Sequence, residues 1–338
     1  MSALRAGVIG CGYMGQLHLR AYEDRGVRVT AIADTRPSVM ETAPAQVRRF
    51  ENYRDLLRED IDVVSICLPT NLHLPVTVEA LAAAKHVLLE KPIAASVDDA
   101  ERMIAFAHAA RRRLFVGMTH RFYPEVLAAK ALVDSGAIGD IVLIRDSILE
   151  YFGLVNAPPW FLEKQSAGGG TVLSSGIHLV DRVLWFLGEQ PASVSGSRSN
   201  FMFGQELEDA AQMSLEFASG RSAQITFALL PEPHPLVCDL EVIGTRGSIV
   251  VRTWRGYELR ACGRVERHDI YRAEPHPQKV LVGLRAEVDE FCAAIREGRV
   301  PRPSAEESTR ALAVVESFYR AAKLETARKR AAEPGRAV

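Results

Sequence analysis

In the first 120 residues, short β-branched runs alternate with stretches whose apolar residues recur every three or four positions, the order that builds a parallel sheet with crossover helices. "RAGVIG", "VRVTAIAD", "VVSICLP", "HVLLEKP" and "LFVGMTH" read as strands. Met14 to Arg25, "YRDLLRE", "HLPVTVEALAAAK" and "SVDDAERMIAFAHAARR" read as helices, the last opened by a Ser96 or Asp98 cap. Beyond about Arg121 the rhythm changes. A helix "PEVLAAKALVDSG" and a strand "IVLIRDSILEYF" lead into "GGGTVLSSGIHLVDRVLWFLG", residues 168–188, which reads as three glycines followed by one buried helix. Alternating strands follow near residues 193–203, 210–217, 221–230, 237–243, 247–253 and 257–262, separated by the turn signals "ASGRS", "GTRGS" and "WRGY". They predict a large open meander, mostly antiparallel, and the alternation of "AQMSLEF" leaves one of its faces polar. A helix near 283–297, the linker "GRVPRPS" and a capped helix from Ser304 to about Thr326 complete the pattern, with a charged tail after Arg328 expected to fray.

The fold class is therefore α/β in two units, a doubly wound parallel sheet over residues 1–121 and a second α/β domain over 122–303 built on the open sheet. A length of 338 residues agrees with two domains. Charge is nearly balanced, at a net of -1, so no basic field exists to gather nucleic acid or anionic lipid. Cys11, Cys67, Cys238, Cys262 and Cys292 stand far apart without a CxxC pair, which fits reduced thiols in a cytoplasmic protein and argues against structural zinc. No signal peptide and no run of bilayer-spanning length is present, so a soluble protein is expected.

Chemistry enters at "GVIGCGYMG", where Gly10, Gly12 and Gly15 take the GxGxxG spacing between a strand and a helix. Gly10 permits the tight turn, Gly12 lets backbone N–H groups approach a pyrophosphate, Gly15 allows close helix packing, and the helix N-terminus attracts negative charge. Asp34 ends the next strand, where a carboxylate accepts bonds from an adenosine ribose and repels a 2'-phosphate, favouring NAD over NADP. Arg36 blurs this preference, because a guanidinium there can stack on adenine or pair with that phosphate.

With "GCGYMG", "CLPTNLH", "EKP" and "GGGTVLSSGIHLVD" in this order, the chain resembles the glucose-fructose oxidoreductase, inositol dehydrogenase and MocA-like family from about Ala3 to about Lys323. The resemblance implies an N-terminal Rossmann domain, a C-terminal α/β domain with a large open sheet, a helix 304–326 packing back on the first domain, and nicotinamide chemistry on sugars or cyclitols. It places the lysine of Glu90–Lys91–Pro92 beside the nicotinamide, after a cis Lys91–Pro92 bond. An ammonium at the carboxyl end of a parallel strand can stabilise an alcohol oxygen that gains charge as hydride leaves. Leu68, Pro69, Asn71 and His73 end another strand and border the nicotinamide ribose, although His73 equally suits a cap of the next helix. Candidate cofactor contacts are thus Gly10, Gly12, Tyr13, Met14, Gly15, Asp34, Arg36, Leu68, Pro69, Asn71, His73, Glu90 and Lys91.

In the resembled family the histidine at 178 faces the substrate as general acid or base, a role suited to a group titrating near neutrality. The residue four before it is commonly an aspartate, and here it is Ser174. A serine cannot hold an imidazolium by charge, so another group must orient His178, or Lys91 must carry more of the proton transfer. Asp181, three residues on and on the same helix face, is one candidate; it can instead bond the backbone or pair with Arg182. Lys91 and His178 are the expected catalytic pair. Lys91, Arg121, Tyr151, Trp160, Ser174 and His178 are the candidate substrate contacts, with Arg121 free to pair with an acid instead, and His120 and His234 stand near the same cleft. The expectation is an NAD-dependent oxidoreductase acting on a ring hydroxyl, without a metal, as a homodimer or homotetramer through the open sheet. NAD-dependent glycoside hydrolysis and non-catalytic cofactor sensing are the rival readings.

Overall fold

The computed structural model describes residues 4–152, 158–271 and 276–326. Six strands, β1 (Arg5–Ile9), β2 (Arg28–Ala33), β3 (Arg48–Phe50), β4 (Val63–Ile66), β5 (His86–Leu89) and β6 (Leu114–Val116), form one wholly parallel sheet in the order β3-β2-β1-β4-β5-β6. Its crossovers carry α1 (Tyr13–Asp24), α2 (Tyr53–Leu57), α3 (His73–Ala82) and α4 (Val97–Ala110). Burial on both faces explains why β4 is apolar throughout except for Ser65. The strand order reverses between β1 and β4, so the crevice for a ligand opens at the carboxyl ends of those two strands.

The second sheet has nine strands: β7 (Ile141–Tyr151), β8 (Pro191–Ser199), β9 (Ala210–Phe217), β10 (Ser222–Leu230), β11 (Val237–Gly244), β12 (Gly247–Arg252), β13 (Gly256–Ala261), β14 (Arg264–Asp269) and β15 (Leu324–Glu325). Their order is β14-β13-β12-β11-β7-β10-β9-β8-β15. It is not a simple meander, because β7 lies at the centre, parallel to β10 and antiparallel to β11. The other helices are α5 (Pro124–Asp134), α6 (Pro159–Leu162), α7 (Lys164–Ala167), α8 (Thr171–Ser174), α9 (Ile177–Leu187), α10 (His276–Glu297) and α11 (Ala305–Ala321). On β9, Ala211, Met213, Leu215 and Phe217 face the core while Gln212 and Glu216 face outward, so the expected polar face is present.

Three features differ from the sequence reading. The segment 171–187 is two helices, since the chain bends at Gly176, where a Cβ would lie 2.4 Å from the Phe227 ring of β10. Helix α10 belongs to the first lobe's core and not the second's, its Leu281, Leu284, Val288 and Phe291 packing with Leu17, Tyr22 and Phe115. The last helix stops at Ala321 and the chain then pairs with β8. Among the described residues no helix is long and apolar enough to cross a membrane.

Helix α9 is tied to the sheet beneath it by an ion pair with no exposure: Arg182 donates to both oxygens of Asp146 on β7, at 3.1 and 2.5 Å, and to Thr253 Oγ1 at 3.1 Å. Removing one partner strands the other charge in the core. Arg182→Met is expected to cost about 3–5 kcal/mol in urea unfolding, and Arg182→Met with Asp146→Leu much less. A single variant within about 1 kcal/mol of the parent contradicts this, being the range of an exposed pair.

Candidate active site

The glycine turn after β1 is shaped by close approach. Gly10 has φ +87°, and a Cβ on it would sit 2.2 Å from the Cys67 carbonyl oxygen; one on Gly15 would sit 1.9 Å from the Gly10 oxygen. Gly12 differs, its nearest neighbour being the Arg36 guanidinium at 3.7 Å, so open space lies over it. The first turn of α1 has neither a side-chain cap nor an acidic residue, which leaves its N–H groups for an anion. Asp34, at the end of β2, accepts the Cys11 N–H at 2.8 Å and the Arg36 N–H at 2.9 Å, and the Arg36 side chain folds onto it at 3.2 Å. Burial opposes ionisation of Asp34, but these hydrogen bonds outweigh it and hold the acid below its ordinary value. Open glycine, uncapped helix and carboxylate together fit a dinucleotide's pyrophosphate and ribose. Tyr13 is exposed and Met14 half-buried at its edge.

Lys91 lies two residues past the end of β5 and is followed by a cis bond to Pro92. Its Nζ crosses to the second lobe and donates to the Ser174 carbonyl at 2.9 Å, one turn before His178. The glycines that lead into α8 are held closely on the far side. A Cβ on Gly169 would be 2.5 Å from Tyr319 Oη and one on Gly170 2.2 Å from the Glu208 oxygen, and Glu208 accepts from Tyr319 Oη at 2.7 Å and from the Val172 N–H at 3.2 Å.

His178 is 7 % exposed and lies face to face with His120, ring centroids 4.1 Å apart and planes within 7°. Among the described residues, Nδ1 of each ring is buried without a hydrogen-bond partner. Burial, then the charges of Lys91 and Arg182, push His178 well below an ordinary imidazole; burial, His178, Arg182 and Lys91 do the same to His120. Both rings are therefore neutral bases at pH 7. Alongside the stack, Arg121 donates to both oxygens of Asp181 at 2.7 Å and to Glu307 of α11 at 2.8 Å.

Several expected contacts take other places. His73 does not face the cleft: it is 1 % exposed, wedged between two strand-end loops with Nδ1 2.8 Å from the Pro92 oxygen and Nε2 2.9 Å from the Leu68 oxygen, of which a neutral ring can donate to only one. Glu90 turns away from the cofactor crevice to His18 Nε2 at 2.9 Å and accepts the Lys91 N–H at 3.2 Å, and a buried chain continues through Ser65 to Tyr22. Arg121 has its nitrogens engaged by carboxylates, and it is Arg121, not Arg182 or His178, that Asp181 serves. Ser174 offers its carbonyl, its hydroxyl being buried and unbonded. Leu68 and Pro69 are half-buried and Asn71 exposed at the crevice. Tyr151 is exposed at the end of β7, Trp160 is half-buried against Phe161, and His234 is exposed. Sequence reasoning missed His120 as a ring partner and His18 as the support of Glu90; His18, three residues past Gly15, carries only the signal of a histidine on an otherwise buried helix face.

Comparison with known proteins agrees with this architecture. Residues 4–118 match an oxidoreductase family with an NAD-binding Rossmann fold, GFO/IDH/MocA, and residues 126–250 match the GFO/IDH/MocA C-terminal domain. An inositol 2-dehydrogenase of Rubrobacter xylanophilus is 30% identical over 316 residues, 88% of this chain and 84% of that protein. An aldose-aldose oxidoreductase from Caulobacter crescentus, solved with glycerol, superposes with a TM-score of 0.81 at 26% identity, over 95% of this chain and 97% of the other. An Agrobacterium radiobacter oxidoreductase, solved with NAD+, L-tartaric acid and magnesium, shares the fold with a TM-score of 0.86 at 22% identity, over 95% and 96%.

The buried His73 gives a pH test. Burial lowers its pKa in the folded state, so between that value and the unfolded value near ~6.5 only the unfolded chain takes the proton, and stability falls as pH falls through this window. His73→Asn should lose less stability than the parent below pH ~6.5, by up to about 1.4 kcal/mol per pH unit in urea titrations. Parallel pH curves for the two proteins contradict a neutral buried ring.

Proposed function

The chain belongs to the GFO/IDH/MocA oxidoreductase family, and on that premise we propose that this NAD-dependent enzyme oxidises, or in reverse reduces, one secondary ring hydroxyl of a sugar, cyclitol or glycosylated amino sugar. The observation that carries the reading is the meeting of Lys91 from one lobe with Ser174 and His178 from the other at the mouth of the glycine crevice. NAD+, when bound, supplies the hydride acceptor. Gly10, Gly12, Gly15 and the first turn of α1 hold its pyrophosphate, and Asp34 its ribose. Lys91 leaves the Ser174 carbonyl for the substrate oxygen and stabilises the negative charge that grows there. His178, neutral at pH 7, takes the hydroxyl proton through Nε2. In reduction the same nitrogen returns it.

The relatives support a polyol substrate: one is named for inositol and another for aldoses. Tyr151 and Trp160 lie at the ends of β7 and in α6, where an aromatic face suits the C–H surface of a sugar ring. The outward side chains of β9 leave an exposed face on the nine-stranded sheet, which supports a homodimer or homotetramer built through it.

A panel of myo-inositol, free aldoses, nucleotide-linked sugars and aminoglycoside-type sugars, each with NAD+ and NADP+, tests this by absorbance of reduced nicotinamide. At least one polyol should turn over with NAD+, and Lys91→Ala should lower kcat by about 10²–10³-fold while NAD+ still binds. A panel without turnover, or a Lys91→Ala enzyme as fast as the parent, contradicts the reading.

A further inference from the structure

Among the described residues, the His178 imidazole has no hydrogen bond to fix it. Three carboxylates on its own helix and the strand beneath have other partners: Asp181 binds Arg121, Asp146 binds Arg182, and Glu150 of β7 takes the Ser175 hydroxyl. Ser174 gives its carbonyl to Lys91, and its own hydroxyl is unbonded. A ring held only at its Cβ turns broadly about its last torsion unless packing stops it. The surface against its face is the parallel ring of His120. His120 is itself placed from two sides, by Tyr123 with ring centroids 5.4 Å apart and by its chain neighbour Arg121, whose forked pair with Asp181 lies one turn beyond His178 on the same helix. The stack at 120 and 178 and the ion pair at 121 and 181 are consecutive rungs between the same two segments.

We propose that His120 is the positioning residue for His178, holding the base by ring stacking where no carboxylate is available to hold it by charge. The proposal rests on His178 being the proton acceptor of the dehydrogenase described above. It also sets how many protons the pair takes. The charges acting on both rings are Lys91 from the end of β5 and Arg182, which is paired with Asp146; Tyr123 packs on His120, Arg121 next to it in the chain is paired with Asp181 and Glu307, and Glu287 of α10 lies beside Gly117 with its pKa raised by burial. Two imidazolium rings 4.1 Å apart among these cations repel, so the pair accepts one proton and His120 stays the neutral face beneath it.

The test uses the full chain with NAD+ bound and histidine rings labelled with ¹³C, followed by NMR against pH, in the parent, His120→Gln and His120→Phe; a His178→Gln spectrum assigns the signal. Losing the flat ring admits water to His178, so His120→Gln should raise its titration midpoint by about one unit, a tenfold gain in proton affinity. His120→Phe restores a flat ring and should leave the midpoint close to the parent's. The proposal is overturned if His120→Gln lowers only thermal stability and leaves the His178 midpoint in place, or if His120→Phe shifts it as far as His120→Gln. Should His120→Phe fail to bind NAD+, His120→Gln against the parent still decides; should His120→Gln fail, His120→Asn takes its place with the same expected shift. No substrate enters this experiment, so an inactive sugar panel removes the dehydrogenase reading without touching this result.

Discussion

A buried guanidinium holds the two lobes in register. Arg121 sits in the 3-10 turn Thr119–Phe122, where the parallel sheet ends, and it is 7 % exposed. Burying such an ion is costly unless its donors are met with good geometry, and a half-made pair leaves a stranded charge worth several kcal/mol. Its partners come from two other places in the chain, Asp181 on α9 and Glu307 in the capping box of α11, so the three segments can move apart only by breaking it. Because His120 precedes Arg121 and His178 lies one turn before Asp181, the same pair fixes where the His178 imidazole sits. The aspartate on the face of His178 is thus engaged in docking the helix.

The remaining supports follow the same pattern, each polar site group backed by a buried partner distant in sequence. Lys91 follows Glu90, whose carboxylate is locked between His18 and the Lys91 N–H, so the backbone that launches the lysine has little freedom. The His73 ring fills the space between the loop after β4 and the loop after β5 and donates to one of their carbonyls. Across the cleft, the triple glycine lies against Glu208 and Tyr319, which sets the start of α8 and hence the carbonyl that receives Lys91. Rigid support of this kind is what a proton-transfer site needs, since small misplacements of reacting groups are expensive in rate.

Much of this was legible in the residues. The glycine spacing, Asp34 at the next strand end and the alternation of β9 each report a local rule, and the crevice and the polar sheet face are where those rules put them. What the sequence hid is long-range. Arg121 and Asp181 are 60 positions apart, and on the helix Arg182 was the nearer cation. The bend at Gly176 is set by the Phe227 ring of another strand, which no helical periodicity reports. Strand β3 is three residues long and was not read at all, and the apolar face of α10 shows amphipathicity without naming the lobe it packs on. His73 and Glu90 occupy motif positions that read as cofactor contacts, yet each turns inward, because a buried carbonyl or imidazole there needs a partner more than the crevice needs another polar group.

The central claim is that an amine from one lobe and an imidazole from the other act on the same oxygen. A crystal structure of the chain with NAD+ and its fastest substrate tests it most directly. The account predicts one substrate hydroxyl within about 2.6–3.2 Å of both Lys91 Nζ and His178 Nε2, with the Lys91–Ser174 bond broken or shared. A complex in which Lys91 remains on Ser174 alone, or in which the two nitrogens bind different oxygens, contradicts it.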